Sequence, residues 1–362
     1  MKGPEIAPRT MMKGNEALAE GALRGGCRFY FGYPITPQNE LLEYMAVHLP
    51  RCGGVFLQTE SELAAISMVY GVASTGRRAM TSSSSPGISL MQEGISYLAS
   101  AELPCLIVNI TRGSPGLGRI TPAQSDYFQA VKGGGHGDYR LIVLAPVGVQ
   151  EMADFACEAF ELAERYRAPV MILGDGIVGQ MMEPVRLPCP VDPGETPVAR
   201  WAVGEWSRPR ARRNLVLSAP LTDPELRQMN LDLQEKYHRI AQAETRYEAY
   251  RTEDAEMVIV AFGIAARLSM EAVDSLRDQG VRAGLLRPIT LWPFPSRALE
   301  DLSGRVLGFL VVEMNEGQMV EDVCACSLGR APVGFLGGGG GFVPTPAQIA
   351  KRALSMLGGV PA

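Results

Sequence analysis

The segment VFLQTESELAAISMVYGVASTGRRAMTSSSSPGISLM, residues 55 to 91, decides the fold of this chain. Its first residues are apolar and β-prone, and apolar side chains then recur at helical spacing as far as Gly76, which predicts a strand followed by a helix. Arg78 to Ser84 predicts a second strand and Ile88 to Ser100 a second helix, with SSSSPG between them. Two strand ends therefore bring short polar groups to one crevice, where open parallel α/β sheets bind their ligands.

Glu62 lies in the first turn of the first of these helices. An acidic residue at that position usually faces water and only interacts favourably with the helix dipole. Spacing alone therefore gives Glu62 no function, and a second observation is needed to assign one.

That observation is a resemblance. Six segments resemble the α subunit of 2-oxoacid:ferredoxin oxidoreductases, which use thiamine diphosphate. They are FYFGYPITPQNEL (29–41), QTESELAAISMVYGVASTG (58–76), MTSSSSPGISLMQEGISYLA (80–99), VNITRGSPGLG (108–118), LLRPITLWPFP (285–295) and VVEMNEGQM (311–319). YPITP together with SSSSPG is a specific signal, and the resemblance covers nearly the whole chain. The segment GGGHGDYRLIVLAP (133–146) is most similar in sequence to subunits of the 2-oxoisovalerate, or 3-methyl-2-oxobutanoate, type.

The resemblance implies an α/β protein with two doubly wound domains. We expect a thiamine-diphosphate pyrimidine-binding domain at 1–187, a linker with a helix at 188–254, and a transketolase C-terminal-like domain at 255–362. The residues agree, since strand and helix patterns alternate in the first and last parts, whereas proline and charge increase after position 188. A helix is predicted in the linker, from Asp223 as far as Tyr247.

By resemblance, Glu62 is the catalytic carboxylate that bonds to the cofactor's aminopyrimidine ring, and Glu60 is the residue with which it could be confused. Three more positions match the family's cofactor-binding segments: Pro34, Ile35 and Ser85. Taken from the residues alone, the two prolines of YPITP indicate only a stiff loop after a strand.

Thr36 and Arg112 are implied to bind the 2-oxoacid substrate. A predicted buried strand, Leu103 to Ile110, ends at Thr111 and Arg112, and the planar guanidinium of Arg112 suits a carboxylate. A structural ion pair is the alternative for Arg112. Arg119, in the glycine-rich loop that follows, is a weaker second candidate.

The cofactor is expected to be shared with a partner chain. Gly174-Asp175-Gly176 begins like the magnesium–diphosphate motif of thiamine enzymes, but no Asn occurs between Asn109 and Asn214 to complete it. The β subunit would then supply the magnesium and diphosphate site, and we expect no metal site on this chain. The seven cysteines include no Cys-x-x-Cys pair, so iron–sulfur clusters are expected on partner subunits only.

Charge and hydropathy further limit the kinds of partner that we expect for this chain. A net charge of −5 and a pI near 5.5 argue against nucleic acid, and no stretch reaches the roughly 18 apolar residues of a membrane span. We expect a cytoplasmic protein with β, γ and ferredoxin-like δ subunits, and ferredoxin as electron acceptor.

The predicted function is thiamine-diphosphate-dependent oxidative decarboxylation of branched-chain 2-oxoacids, with coenzyme A as acyl acceptor. Alternatives are the same chemistry on pyruvate or 2-oxoglutarate, and a non-redox decarboxylase or transketolase-like subunit. A non-catalytic scaffold also stays open. A nicotinamide-dependent dehydrogenase is disfavoured, since the first strand is not followed by the glycine fingerprint of dinucleotide binding.

Overall fold

The computed structural model describes residues 9–191, 199–204 and 214–358, and it arranges their strands in sheets of seven, five and two. The strands are β1 (Thr10–Lys13), β2 (Phe29–Gly32), β3 (Val55–Gln58), β4 (Ala79–Ser83), β5 (Cys105–Thr111), β6 (Ile142–Leu144), β7 (Pro169–Asp175), β8 (Met182–Val185), β9 (Tyr247–Tyr250), β10 (Met257–Ala261), β11 (Ala283–Pro288), β12 (Thr290–Trp292), β13 (Gly308–Glu313) and β14 (Val333–Gly337). The helices are α1 (Gly14–Arg24), α2 (Asn39–His48), α3 (Glu62–Ser74), α4 (Ser85–Ser100), α5 (Tyr127–Val131), α6 (Val149–Tyr166), α7 (Gly176–Gln180), α8 (Asp223–Ala243), α9 (Gly263–Asp278), α10 (Ser296–Ser303), α11 (Met319–Ser327) and α12 (Pro346–Leu357).

The seven-stranded sheet has the order β12-β6-β7-β5-β4-β2-β3. Its neighbours pair in parallel, except for β12, which runs antiparallel to β6. Every residue of β4, β5 and β7 is buried, as expected for a parallel sheet with helices on both faces. The carboxyl ends of β2, β3, β4, β5 and β7 consequently meet at one edge of the sheet.

The five-stranded sheet has the order β14-β13-β10-β11-β9 and is parallel apart from β9. Alanine-rich faces of α9 and α12 pack against it, which brings the helices close to the strands. The predicted α/β class with two doubly wound sheets is confirmed.

One segment links the two sheets. In LLRPITLWPFP the first residues form β11 of the five-stranded sheet, whereas Thr290–Trp292 form β12 of the seven-stranded one. The backbone N–H of Ala145 donates to the carbonyl of Ile289 at 2.9 Å where the chain crosses over. A three-residue strand before a proline has too few residues to show a period, so the sequence did not predict β12. The domain boundaries at 187 and 254 remain a prediction.

The predicted helix end at Tyr247 is wrong. The helix stops at Ala243, and Tyr247 begins β9, which pairs antiparallel with β11. Glu244 is the C-cap residue of the helix, and its carboxylate accepts hydrogen bonds from Tyr166 and Arg246. Much of the predicted linker, at 192–198 and 205–213, lies outside the described residues.

None of the helices in the described part of the chain is long and apolar enough to cross a membrane.

Candidate active site

Glu62 begins α3 at the carboxyl end of the edge strand β3. The Ser61 hydroxyl caps the helix by accepting from the N–H of Ala64 at 3.3 Å, which is the usual role of a serine at this position. The side chain of Glu62 is only 4% exposed, whereas Glu60 faces solvent. Burial therefore separates the two carboxylates that the sequence left close together.

The Glu62 carboxylate lies between β4 and the start of α4. Ser83 donates its hydroxyl to Oε1 at 3.1 Å. A Cβ on Gly87 would lie 2.2 Å from the same oxygen and 2.0 Å from the Ser83 hydroxyl, so only glycine fits here. Among the described residues no hydrogen bond reaches Oε2 and no cation pairs with Glu62.

A buried carboxylate with one oxygen free fits the pyrimidine end of thiamine diphosphate. It can hold the ring-nitrogen proton through a charge-assisted hydrogen bond, and the low-dielectric surroundings strengthen such a bond.

The loop after β2 presents Thr36 beside this edge of the sheet. Its turn is fixed at Pro37, whose carbonyl accepts from Asn15 at 2.8 Å and from Gln180 at 2.9 Å. The Thr36 hydroxyl makes no hydrogen bond within the described chain, so it is free to bind a ligand. Pro34 is exposed and Ile35 is half-buried on the same loop.

Arg112 follows the last residue of β5 and is 7% exposed. Its Nη1 donates to the carbonyl of Thr36 at 3.1 Å and its Nη2 to that of Leu117 at 2.8 Å, while the buried Nε has no partner. No carboxylate of the described residues pairs with it, so the structural ion pair, the alternative that the sequence left open, is not formed here. A buried guanidinium without a counter-charge is suited to an anionic ligand.

Ser85 connects the end of β4 to Arg112. Its hydroxyl accepts from the backbone N–H of Arg112 at 3.1 Å. Thr36, Ser85 and Arg112 therefore form one bonded group, and Ser83, two residues before Ser85, binds Glu62.

Asp126 and Asn109 lie behind this group, and no sequence pattern indicated a role for either. Asn109 donates to Asp126 at 2.8 Å, and burial raises the pKa of Asp126 although hydrogen bonds from Ser85 and Asn109 partly offset it. Their importance lies in contacts between separate strands, which no local pattern reveals.

Arg119 is exposed on the loop after β5, and its side chain has no recorded partner within the described residues. Two other cations on the chain between β5 and β6 are engaged: Lys132 pairs with Asp322, and Arg140 donates to the carbonyls of Val131 and Lys132.

Asp175 joins the two sheets instead of completing a metal motif. One of its oxygens, Oδ1, accepts from the N–H groups of Ile177 and Val178 at 3.0 Å, and Oδ2 accepts from that of Ile264 at 2.9 Å. Gly263, at φ +54°, leaves room for this contact. Both oxygens are therefore used to cap helices, and burial raises the pKa of the carboxyl.

Asp175→Ala is expected to lower the free energy of unfolding by about 1–3 kcal/mol, because it leaves buried N–H groups without acceptors. Asp175→Asn keeps one acceptor for α7 but presents an amide N–H₂ to Ile264, so we expect a smaller loss. Denaturant unfolding of both variants measures the difference. Equal stability of Asp175→Ala and the wild type would contradict the capping role.

The segment VVEMNEGQM holds the second sheet against the candidate site. Gln124 and Met314 exchange two hydrogen bonds, at 2.9 and 3.1 Å, and Asn315 donates to the Gln124 carbonyl at 2.9 Å. Glu313 is buried and accepts from the N–H groups at the start of α11. These bonds join the segment after β13 to the chain that leads from Arg112 to Asp126.

Comparison with known families gives two matches. The family described as pyruvate flavodoxin/ferredoxin oxidoreductase, thiamine diphosphate-binding, matches residues 20–266. The family described as pyruvate:ferredoxin oxidoreductase core domain II matches residues 255–349.

Individual relatives agree. The ketoisovalerate oxidoreductase subunit VorB of Methanothermobacter thermautotrophicus is 53% identical over 313 residues, covering 86% of this chain and 88% of the relative. The 2-oxoglutarate synthase subunit KorA of the same organism is 40% identical over 374 residues, covering 95% and 98%.

Among solved structures, the 2-oxoglutarate:ferredoxin oxidoreductase of Magnetococcus marinus, with 2-oxoglutarate, coenzyme A and succinyl-CoA bound, superposes with a TM-score of 0.86 at 28% identity. The match covers 97% of this chain and 66% of that one. A split-gene transketolase superposes with a TM-score of 0.60 at 14% identity, which shows a shared fold alone.

Proposed function

Since this chain belongs to the pyruvate flavodoxin/ferredoxin oxidoreductase family, we propose that it is the α subunit of a 2-oxoacid:ferredoxin oxidoreductase that acts on branched-chain 2-oxoacids. The observation that carries the proposal is Glu62, a buried carboxylate with one free oxygen at the ligand-binding edge of a parallel sheet.

Glu62 binds the aminopyrimidine ring of thiamine diphosphate and shares a proton with its N1′ atom. When bound, the cofactor supplies the electron sink that allows the substrate to lose carbon dioxide. Pro34 and Ile35 line the cofactor, and Ser85 contributes a hydroxyl at the end of β4. These roles rest on the family resemblance of the segments together with their common position at one sheet edge.

Arg112 and Thr36 bind the 2-oxoacid. The guanidinium offers the substrate carboxylate its unpaired Nε and a positive charge that no carboxylate of the described residues neutralises. Because Arg112 already bonds to the Thr36 carbonyl at 3.1 Å, the Thr36 hydroxyl is held beside the same anion and can donate to its carbonyl or carboxylate oxygen.

The remaining machinery belongs to partner subunits. Asp175 uses both oxygens on backbone N–H groups, so a β subunit provides the magnesium and diphosphate site. Four apolar side chains of β3, α3 and α4 are 36–58% exposed around Glu62, as a subunit contact requires: Leu57, Leu63, Met68 and Leu90. Iron–sulfur clusters on γ and δ subunits would carry the electrons to ferredoxin.

Coenzyme A accepts the acyl group, so each turnover yields an acyl-CoA, carbon dioxide and two electrons. Coenzyme A and ferredoxin as reaction partners are consistent with a cytoplasmic location.

The test is coenzyme A-dependent reduction of methyl viologen by the complex purified with its partner subunits. We expect kcat/KM for 2-oxoisovalerate to exceed that for 2-oxoglutarate by at least about tenfold, with measurable turnover of pyruvate, because one methylene more or less changes specificity by only about 10- to 200-fold. Preference for 2-oxoglutarate would refute the branched-chain assignment. Release of carbon dioxide without coenzyme A and without viologen reduction, by a complex free of iron, would instead indicate a non-redox thiamine enzyme.

A further inference from the structure

A cleft opens at Pro37, the residue after Thr36, between the segments that follow β2, β5 and β7. It has a volume of about 390 Å³, which lies within the range of small-molecule sites. We call it the apolar cleft. Its lining residues are Pro37, Ile120, Thr121, Pro122, Gly176, Ile177, Gln180 and Met181.

The cleft adjoins the proposed substrate-binding residues through the backbone. Pro37 directly follows Thr36. The N–H of Gly113, the residue after Arg112, donates to the carbonyl of Thr121 at 2.8 Å, so the lining segment runs back alongside the end of β5. A Cβ on Gly176 would lie 3.3 Å from Pro37, which shows how closely the third segment approaches the first.

The lining carries no charged side chain. Ile120, Ile177 and Met181 supply apolar surface, and the amide nitrogen of Gln180 is already bonded to the Pro37 carbonyl at 2.9 Å and to Glu40 at 2.7 Å. A carboxylate placed against such a lining loses part of its hydration and meets no cation among the lining residues, which is unfavourable. An aliphatic group meets no such penalty.

We propose that the apolar cleft receives the aliphatic side chain of the 2-oxoacid whose carboxylate Arg112 binds, and that Ile120 and Met181 determine which side chains are accepted. This inference rests on the proposed function. It explains in physical terms why a branched aliphatic 2-oxoacid is preferred to a dicarboxylate, whose second carboxylate would enter the cleft unpaired.

Two variants of the assembled complex test the proposal. Ile120→Arg places a cation at the cleft, on a side chain that is 64% exposed and so dispensable for folding. We expect it to raise kcat/KM for 2-oxoglutarate relative to 2-oxoisovalerate by at least about tenfold. Met181→Ala enlarges the cleft and should raise kcat/KM for 2-oxo-4-methylpentanoate relative to 2-oxoisovalerate by about tenfold. The matched control is Met182→Ala, because Met182 is adjacent in sequence but does not line the cleft.

Binding is measured separately by saturation-transfer NMR on the methyl protons of 2-oxoisovalerate, with the complex depleted of thiamine diphosphate. We expect transfer in the wild type and in Met182→Ala, and a clear loss in Ile120→Arg. Unchanged specificity ratios in both cleft variants, or undiminished transfer in Ile120→Arg, would overturn the inference while leaving the proposed function intact. A wild-type complex that turns over no 2-oxoacid would refute the proposed function itself.

Discussion

Glu62→Gln is expected to lower the kcat of the assembled complex by about 10²- to 10⁴-fold while leaving the fold unchanged. The amide is nearly isosteric and keeps an oxygen to accept from Ser83, which lies 3.1 Å from the present Oε1. It cannot take up or release a proton at the cofactor's N1′ atom. Steady-state kinetics with 2-oxoisovalerate measures the loss, and calorimetry shows whether thiamine diphosphate still binds.

Glu60→Gln is the matched control. Glu60 precedes α3 and is exposed, so neutralising it removes one negative charge from the same turn without touching the buried pair formed by Glu62 and Ser83. We expect near-normal kcat. If Glu60→Gln loses activity and Glu62→Gln keeps it, the assignment of the carboxylate is wrong by two residues.

The order of strands and helices could be predicted because their patterns are long. The elements predicted between residues 55 and 100, which are β3, α3, β4 and α4, begin and end within a few residues of their predicted limits. Short antiparallel strands were missed: β1, β8, β9 and β12 have three or four residues each, and they form because a partner strand is near. Such pairing is a tertiary effect that leaves no local period.

The location of the candidate site could be predicted to a similar extent. Thr36, Glu62 and Arg112 each follow a strand, so a parallel sheet brings them to one edge, as the sequence suggested. Asp126 and Gln124 could not be predicted from local patterns. Gln124, for example, acquires its role from Met314, which lies 190 residues away in the sequence. For Asp175 the sequence showed only an incomplete metal motif, and its link to Ile264 follows from how the two sheets pack.

Arg112→Ala is expected to reduce kcat/KM for 2-oxoisovalerate by about 30-fold to a few thousand-fold. Removing one partner of a buried, hydrogen-bonded charge pair costs roughly 2–5 kcal/mol, and each 1.4 kcal/mol is a factor of ten. The change also frees the carbonyls of Thr36 and Leu117, which Arg112 holds at 3.1 and 2.8 Å. Arg119→Ala is the control, since Arg119 is exposed and without a recorded partner in the described chain, and we expect less than about a twofold change.

Arg112→Lys separates charge from geometry. Lysine keeps the positive charge but concentrates its donors on one nitrogen, so it cannot reach the Thr36 and Leu117 carbonyls and still present a donor to the substrate as the planar guanidinium does. We therefore expect an intermediate kcat/KM, with most of the loss in KM because Arg112 binds the carboxylate of the intact substrate, before it leaves as carbon dioxide. Full activity of Arg112→Lys together with a large loss in Arg119→Ala would assign the substrate carboxylate to Arg119. The hydrogen bonds from Arg112 to Thr36 and Leu117 would then serve only to hold the loop.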